Sequence, residues 1–169
     1  MMLKDVWKKF KDEMVDEARK SWKEARERFF LICKKNREVF REETIVGKEK
    51  TILAPMKCLE GETVGMFHTH PYGLDIPSKR DIEALIKLEE KPKVYCIAGL
   101  PRFLDDRVIL TCYDTDDLLR YVRENNLMKM GNEEVVESLF NALRLGKIKN
   151  ISESFEPKTI VKVEVVEKL

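Results

Sequence analysis

One short segment constrains the fold more than any other part of the chain, because a strand pattern, a breaking loop and a capped helix follow one another directly. The residues ETVGMFHTH, which end at His70, favour a β-strand. The next residues, PYGLDIP, contain two prolines and a glycine and therefore predict a loop. Ser78 and Asp81 then form the pattern of a capping box, which opens a helix. We expect this helix to start close to the end of the strand.

The patterns around this segment predict further helices and strands. Apolar residues at spacings of three and four predict a first helix that runs to about residue 26, and they are Leu3, Trp7, Phe10, Met14, Ala18, Trp22 and Ala25. An apolar run at residues 29–33 followed by Lys-Lys-Asn predicts a strand and a hairpin, and two β-branched segments surround Gly47. The segments KVYCIAGL and RVILTCYD predict an antiparallel strand pair.

The C-terminal third of the chain adds two helices and a closing strand. The helices are predicted at residues 116–126 and 132–145, the second with Asn132 as its N-cap and Gly146 just beyond its end. The alternating residues TIVKVEVVEKL predict the strand. The complete pattern predicts an α+β fold and a single domain over residues 1–169, with a mixed, largely antiparallel sheet flanked by helices.

Charge and composition argue against several classes of partner. The 32 Lys and Arg residues nearly balance the 31 Asp and Glu residues. A net charge of +1 gives no electrostatic reason to expect nucleic acid or an anionic membrane as a partner. No secretory signal and no apolar run long enough to span a membrane is visible, so we expect a cytoplasmic protein. The abundance of Lys and Glu is typical of thermophile proteins.

The four cysteines, Cys33, Cys58, Cys96 and Cys112, form no C-x-x-C pair, which argues against a zinc ribbon or a thioredoxin motif. In a cytoplasmic protein they are expected to be free thiols. Cys96 and Cys112 lie in the middle of the two strands that are predicted to pair, so we expect core thiols there. Their placement on paired strands also allows a bridge.

The chain's two histidines, His68 and His70, both stand at the end of the predicted strand ETVGMFHTH. Side chains at i and i+2 of a strand point to the same face, about 6 to 7 Å apart along the chain, and can converge on one ion. Asp81, in the first turn of the next helix, can supply a third ligand. Such a set leaves one position of a tetrahedral Zn²⁺ open for water, as in catalytic zinc sites. Two simpler interpretations are a hydrogen-bonded histidine pair and a helix cap formed by Ser78 and Asp81.

The segment HTHP at residues 68–71, followed by Ser78 and Asp81, resembles the signature H-[ST]-H-P-x(6)-S-x(2)-D of the JAMM, or MPN-plus, metalloprotease family. Outside the motif, the order of predicted elements is similar over residues 3–113, whereas residues 114–169 carry no matching motif. The resemblance implies a JAMM-like fold, related in arrangement to cytidine deaminases, and a zinc isopeptidase or peptidase activity. It also implies that His68, His70 and Asp81 bind zinc and that Ser78 hydrogen-bonds the oxyanion.

The family also uses an upstream glutamate as a general base, usually at the start of the first strand in a pattern like E-x-x-G-x-L-x-G. Glu27 occupies this position, just after the first helix and before the strand RFFLICK. The match is incomplete, because Phe30 and Lys34 stand where the two glycines would be.

Three other glutamates, Glu38, Glu42 and Glu43, remain alternatives for the base. The residues around Glu38 resemble the pattern. A base at Glu38 would, however, leave few residues for the strands that must come before His68. Glu42 and Glu43 leave even less chain. Each candidate is otherwise a solvated surface charge in a chain this rich in glutamate. Glu27 is therefore the favoured base.

These features support three functional hypotheses. The leading one is a zinc-dependent hydrolase of the JAMM type that cleaves an isopeptide or peptide bond, with a ubiquitin-like protein or a peptide as its substrate partner. The second is a catalytically inactive binding or scaffold module of the same fold, since the glutamate segment departs from the family pattern. The third is a metal hydrolase that acts on a small molecule or a nucleic-acid-linked substrate, because a fold does not fix a substrate.

Overall fold

The computed structural model describes residues 2–47, 57–100 and 107–157. The helices are α1 (Met2–Glu24), α2 (Lys79–Lys87), α3 (Thr115–Glu124) and α4 (Asn132–Arg144), with a short 3₁₀ helix at Leu127–Lys129. The strands are β1 (Arg28–Lys35), β2 (Glu38–Arg41), β3 (Ile45–Val46), β4 (Glu62–His70), β5 (Val94–Gly99), β6 (Val108–Asp114) and β7 (Asn150–Phe155). The predicted α+β class, with one mixed sheet flanked by helices, is confirmed.

The sheet has the strand order β2-β1-β4-β5-β6-β7, and β3 also pairs with β1. Among the described strands, β4 and β5 form a parallel pair, and the other pairs are antiparallel. The parallel pair follows from the sequence, because the loop and α2 return the chain across the sheet before β5 begins. β4 therefore lies inside the sheet, between β1 and β5.

Helix α1 covers one face of the sheet with the apolar stripe that its sequence predicts. Phe10 and Met14 of this helix belong to a buried cluster that includes Phe30 of β1, Phe67 of β4 and Leu110 of β6. The rings of Phe30 and Phe67 lie 4.9 Å apart, which joins the two central strands beneath the helix. This layer fixes α1 across the sheet, so the chain that leaves its C-terminal end enters β1 at a defined place.

Helices α2, α3 and α4 cover the opposite face. Ile82 and Leu85 of α2 are buried against Met66 and Ile97 of the sheet. Because helices cover both faces, β4 and β5 are buried along almost their whole length instead of alternating between core and solvent. His68 lies on the same face as α2, since it pairs directly with Ile97.

The structure corrects two predicted helix boundaries. α1 ends at Glu24 and not near residue 26, because Ala25 takes a left-handed conformation with φ of 55°. The N-cap of α4 is Gly131 and not Asn132. The Asn132 side chain is engaged elsewhere: its Oδ1 accepts a hydrogen bond of 2.9 Å from the backbone N–H of Lys79, which ties the start of α4 to the start of α2.

Strand β7 was not predicted from the sequence, and it extends the sheet beyond β6 through antiparallel pairing. The predicted closing strand, TIVKVEVVEKL, lies outside the described residues, as does the second β-branched segment after Gly47. The first of those segments forms β3. No described helix is both long and apolar enough to cross a membrane.

The cysteines correct the expectation of free thiols. Cys96 and Cys112 form a disulfide, as their predicted positions on paired strands allow, and Cys33 and Cys58 form a second one. The first bridge has a simple cause, since Cys96 and Cys112 stand directly opposite each other in the β5–β6 ladder. No free cysteine remains among the described residues.

We therefore expect no reaction with a thiol reagent when the protein is unfolded in guanidinium chloride without reductant, because both pairs are oxidised. Reduction before the assay makes all four thiols reactive. The Cys96→Ala variant provides the control, since it leaves the sulfur of Cys112 without its partner and adds one reactive thiol. Four reactive thiols before reduction would contradict both bridges.

Candidate metal centre

His68 and His70 lie two residues apart on β4, so their imidazoles are on the same face of the sheet. Their Nε2 atoms lie 3.1 Å apart, and their ring centres are 4.9 Å apart. Asp81, at the third position of α2, completes the group, with its Oδ2 3.0 Å from His70 Nε2 and 3.6 Å from His68 Nε2. The loop between β4 and α2 therefore turns back as the sequence predicts, and it brings together all three predicted ligands.

The separations of these three atoms fit a metal ion. Tetrahedral bonds of about 2.0 to 2.1 Å, the lengths usual for zinc with nitrogen and oxygen, separate neighbouring ligand atoms by about 3.3 Å. The three separations observed, 3.0, 3.1 and 3.6 Å, bracket this value. The His68, His70 and Asp81 side chains are only 8%, 19% and 22% exposed, so the group is sheltered but reachable. A cation could bind here without a large rearrangement.

A backbone carbonyl orients the second imidazole. His70 Nδ1 lies 2.7 Å from the carbonyl oxygen of Leu74, which can only accept, so Nδ1 carries the proton. Nε2 is thereby left to face the other two ligand groups. Histidines that bind metals commonly donate their other ring N–H in this way.

The loop that supplies this carbonyl rests directly on Gly99 of β5. A Cβ at Gly99 would lie 2.3 Å from the backbone nitrogen of Asp75 and 2.4 Å from the carbonyl carbon of Leu74. The same loop is held from β6, where the Tyr113 hydroxyl donates a 2.6 Å hydrogen bond to the carbonyl oxygen of Asp75. The absence of a side chain at Gly99 is thus a condition for placing Leu74 beside His70.

Asp81 is both a helix cap and a member of the metal group. Its Oδ2 accepts a hydrogen bond of 2.9 Å from the backbone N–H of Ser78, while its own N–H donates to Ser78 Oγ over 3.1 Å. The predicted capping box is therefore confirmed. Because Ser78 Oγ accepts in this bond, its proton is left to donate to another acceptor. The cap and a metal-binding role of the same carboxylate are compatible.

The contacts within this group shift the pKa of Asp81 and the pKa of His70. Burial opposes the charged form of Asp81, but the charges and hydrogen bonds of His68 and His70 outweigh it and hold the pKa of the carboxyl well below its usual value. Burial also acts to lower the pKa of His70, but the hydrogen bond and charge of Asp81 outweigh that effect, so the pKa is raised. Protons are held by the same atoms that would contact a cation, so the two compete.

Glu27 lies on the same side of the sheet as the histidines. β1 pairs with β4 so that Phe29 stands opposite His68, and continuing this register by two residues places Glu27 opposite His70. Residues two apart on a strand share a face. The Glu27 carboxyl is near enough to both histidines and to Asp81 for their charges to affect its pKa. Burial raises its pKa above the usual value, against the effect of the histidine charges.

The other three glutamates lie elsewhere. Glu38 is exposed and pairs with Lys35, which is six residues, or about 20 Å of strand, beyond Phe29. Glu43 is exposed. The Glu42 carboxylate accepts a hydrogen bond of 2.7 Å from the backbone N–H of Leu59. Of the four candidate bases, Glu27 is the one that the β1–β4 register places opposite His70.

A second set of potential ligands, Cys33, Glu42 and Cys58, lies close together on β1 and the chain near it. Its two sulfur atoms are joined in a disulfide, so neither is available as a thiolate. Among the described residues, the histidine group is therefore the set whose ligand atoms are all available to an ion.

Comparison with known proteins identifies no family for this chain. A scan against models of protein families finds no match, and a search of curated proteins finds none either.

Sequence reasoning missed the residues that hold the site in place. Gly99 and the Leu74 carbonyl act through close packing and a backbone contact, which leave no pattern in a single sequence. Thr69 and Ser21 form a buried hydroxyl pair, with Oγ atoms 2.8 Å apart. Ser21 did carry a signal, since it is a polar residue three positions after Ala18 on the apolar face of α1.

We expect one divalent transition-metal ion to bind per chain, with His68→Ala reducing the affinity by more than about 100-fold, because it removes one of three ligands. Affinity should fall as the pH drops through the raised pKa of His70, since the bound proton must leave first. Titration calorimetry with Zn²⁺ at several pH values measures both effects. Asp81→Asn should also reduce the affinity, because it removes the charged ligand, and Asp116→Asn, at an exposed carboxylate in the first turn of α3, is its control. Unchanged affinity in His68→Ala would contradict the site.

Gly99→Ala should lower metal affinity about 10- to 100-fold, because the new methyl group displaces the loop and with it the Leu74 carbonyl that orients His70. The control is Gly131→Ala, where a Cβ meets only Glu134 Oε1 at 3.6 Å. Both affinities are measured by calorimetry with Zn²⁺. Equal affinities in the two variants would show that the loop does not orient the ligand.

Proposed function

We propose that this protein is a zinc-dependent hydrolase that cleaves an isopeptide or peptide bond and resembles the JAMM metalloproteases. The observation that carries this proposal is the three-ligand group of His68, His70 and Asp81, whose atoms lie at tetrahedral separations beside the partly buried carboxyl of Glu27. Three protein ligands leave a fourth position for water or substrate, which is the composition of a catalytic zinc site and not of a structural one.

The metal choice follows from the ligands. Two imidazoles and one carboxylate suit Zn²⁺, whereas Mg²⁺ and Ca²⁺ favour oxygen ligands. When bound, Zn²⁺ supplies Lewis-acid polarisation of a carbonyl and lowers the pKa of water. The side chains of this chain supply the remaining requirements, which are a base, a donor for the oxyanion and a fixed arrangement of both.

Glu27 is proposed as the general base. Its carboxyl would take a proton from the attacking water and give it to the leaving amine, which converts a poor leaving group into a neutral one. Its raised pKa suits this exchange, because a base whose pKa lies closer to neutrality both accepts and returns a proton more readily. Its position opposite His70, by the β1–β4 register, puts it on the correct side of the sheet.

Ser78 is proposed as the donor to the oxyanion. Its Oγ already accepts a hydrogen bond from the Asp81 N–H, so its hydroxyl proton points away from that contact. A donor fixed by a helix cap needs little reorganisation when negative charge develops on a carbonyl oxygen. Ser78→Ala would remove this donor and weaken the N-terminal cap of α2, whereas Ser78→Thr keeps both the hydroxyl and the cap.

The substrate class is proposed from the resemblance of residues 68–81 to the JAMM signature. Many of the family's enzymes release ubiquitin or ubiquitin-like proteins from lysine side chains, so isopeptide-linked conjugates of such proteins are the first substrates to test. A balanced net charge of +1 gives no reason to prefer nucleic acid.

The deciding experiment incubates the zinc-loaded protein with isopeptide-linked ubiquitin-like conjugates and with peptides, with and without a chelator. Cleavage should require the metal, and Glu27→Gln should lower the rate by about 100-fold or more while leaving metal content unchanged, since general bases contribute on this scale. Glu43→Gln, an exposed glutamate, is the matched control. If the zinc-loaded protein binds a conjugate and cleaves nothing, the inactive scaffold hypothesis replaces the enzyme.

A further inference from the structure

Two buried hydroxyl groups bracket Glu27 through the backbone on either side of it. Ser21 Oγ lies 2.5 Å from the carbonyl oxygen of Arg26, and Thr69 Oγ1 lies 2.9 Å from the backbone nitrogen of Arg28. The two hydroxyl oxygens are 2.8 Å apart, and both side chains are fully buried. The peptide group before Glu27 and the one after it are therefore both tied to this pair.

The direction of each hydrogen bond in this chain is fixed by chemistry. The Arg26 carbonyl can only accept, so the Ser21 hydroxyl donates to it. The Arg28 N–H can only donate, so Thr69 Oγ1 accepts from it. Because the single hydroxyl proton of Ser21 is donated to the Arg26 carbonyl, the Thr69 hydroxyl must donate to Ser21 Oγ. One continuous chain runs from the Arg28 amide through Thr69 and Ser21 to the Arg26 carbonyl, and every donor in it is used.

The hydroxyl pair lies on the opposite side of the sheet from the metal group. Thr69 is the residue between His68 and His70, so its side chain points to the α1 face while theirs point to the α2 face. Glu27 in turn lies on the α2 face, since it is two residues before Phe29, which stands opposite His68. Neither hydroxyl touches the site, and any effect on Glu27 passes through the backbone.

We propose that Ser21 and Thr69 are positioning residues that hold the Glu27 carboxyl in a fixed place relative to the metal centre. This inference deepens the proposed function and rests on the role of Glu27 in it. Thr69 is joined covalently to both histidines and by a hydrogen bond to the start of β1, so ligands and base move as one unit. Ser21 adds the end of α1 to this unit. The Glu27 carbonyl also accepts a hydrogen bond of 2.8 Å from the backbone N–H of Gly47, just after β3, but on the β4 side Thr69 is the residue that holds the backbone next to Glu27.

A readout that does not depend on activity tests this position directly. Co²⁺ bound in place of Zn²⁺ shifts the ¹³C resonance of the Glu27 carboxyl by an amount set by its distance and direction from the ion, and Glu27→Gln assigns that resonance. Ser21→Ala and Thr69→Val should both change the shift, because each breaks the hydrogen-bond chain. Thr69→Ser keeps the hydroxyl and should retain the wild-type shift.

The matched control is Thr63→Val. Thr63 lies on the same strand, is equally buried and accepts a hydrogen bond of 2.8 Å from the backbone N–H of Cys58, but it is remote from Glu27. If Thr63→Val moves the Glu27 resonance as far as Thr69→Val does, or if Ser21→Ala and Thr69→Val leave it in place, the positioning role is wrong. Thr69→Ser removes only one methyl group and keeps the hydroxyl, so it is the variant at this position that is expected to fold normally.

Activity then separates this inference from the proposed function. In Ser21→Ala and Thr69→Val, kcat should fall about 10- to 100-fold with KM nearly unchanged, because a displaced base affects the chemical step and not substrate binding. Zn²⁺ affinity should stay within about threefold, since the ligands are intact. A wild-type protein that cleaves no conjugate, yet shows the expected Co²⁺-dependent shifts in these variants, would refute the proposed enzyme and leave the positioning of Glu27 in place.

Discussion

The pairing of β1 with β4 is the interaction on which the rest of the site depends. Its register sets Phe29 opposite His68, and from that single alignment Glu27 comes to lie opposite His70 and Arg28 opposite Thr69. A shift of one residue would turn Glu27 to the α1 face and away from the histidines. The layer of Phe30 and its neighbours beneath α1 holds this register, so packing on one face of the sheet determines chemistry on the other.

Several groups at the site serve more than one purpose, which makes the arrangement compact. Asp81 caps α2 and faces the histidines with the same oxygen. Thr69 separates two ligands along β4 and also anchors the start of β1. The loop between β4 and α2 reverses the chain, and its Leu74 carbonyl orients His70. A substitution at Asp81 or in this loop therefore changes both local structure and the metal group, whereas a substitution at Thr69 acts on the start of β1 and leaves the ligands intact.

The sequence predicted those parts of the structure that depend on local pattern. The strand ending in His70, the capping box at Ser78 and the antiparallel pair that carries Cys96 and Cys112 all follow from propensity, periodicity and turn residues. The parts it missed depend on contacts between distant segments. The end of α1 is set by a left-handed residue, Ala25, whose type does not favour that conformation. The bridge between Cys33 and Cys58 likewise joins positions that no local pattern connects.

The hydrogen bond between Ser78 N–H and Asp81 Oδ2 also bears on how long an ion would stay bound. When this carboxylate turns away from His68 and His70, it also gives up its hydrogen bond to the first turn of α2, because both contacts use the same oxygen. The lifetime of a bound ion would then be tied to fraying of a helix end, which is among the faster local opening events of a folded protein. The rate of metal release would then depend on the stability of the first turn of α2. Substitutions that strengthen this turn would slow release of the ion without altering any ligand.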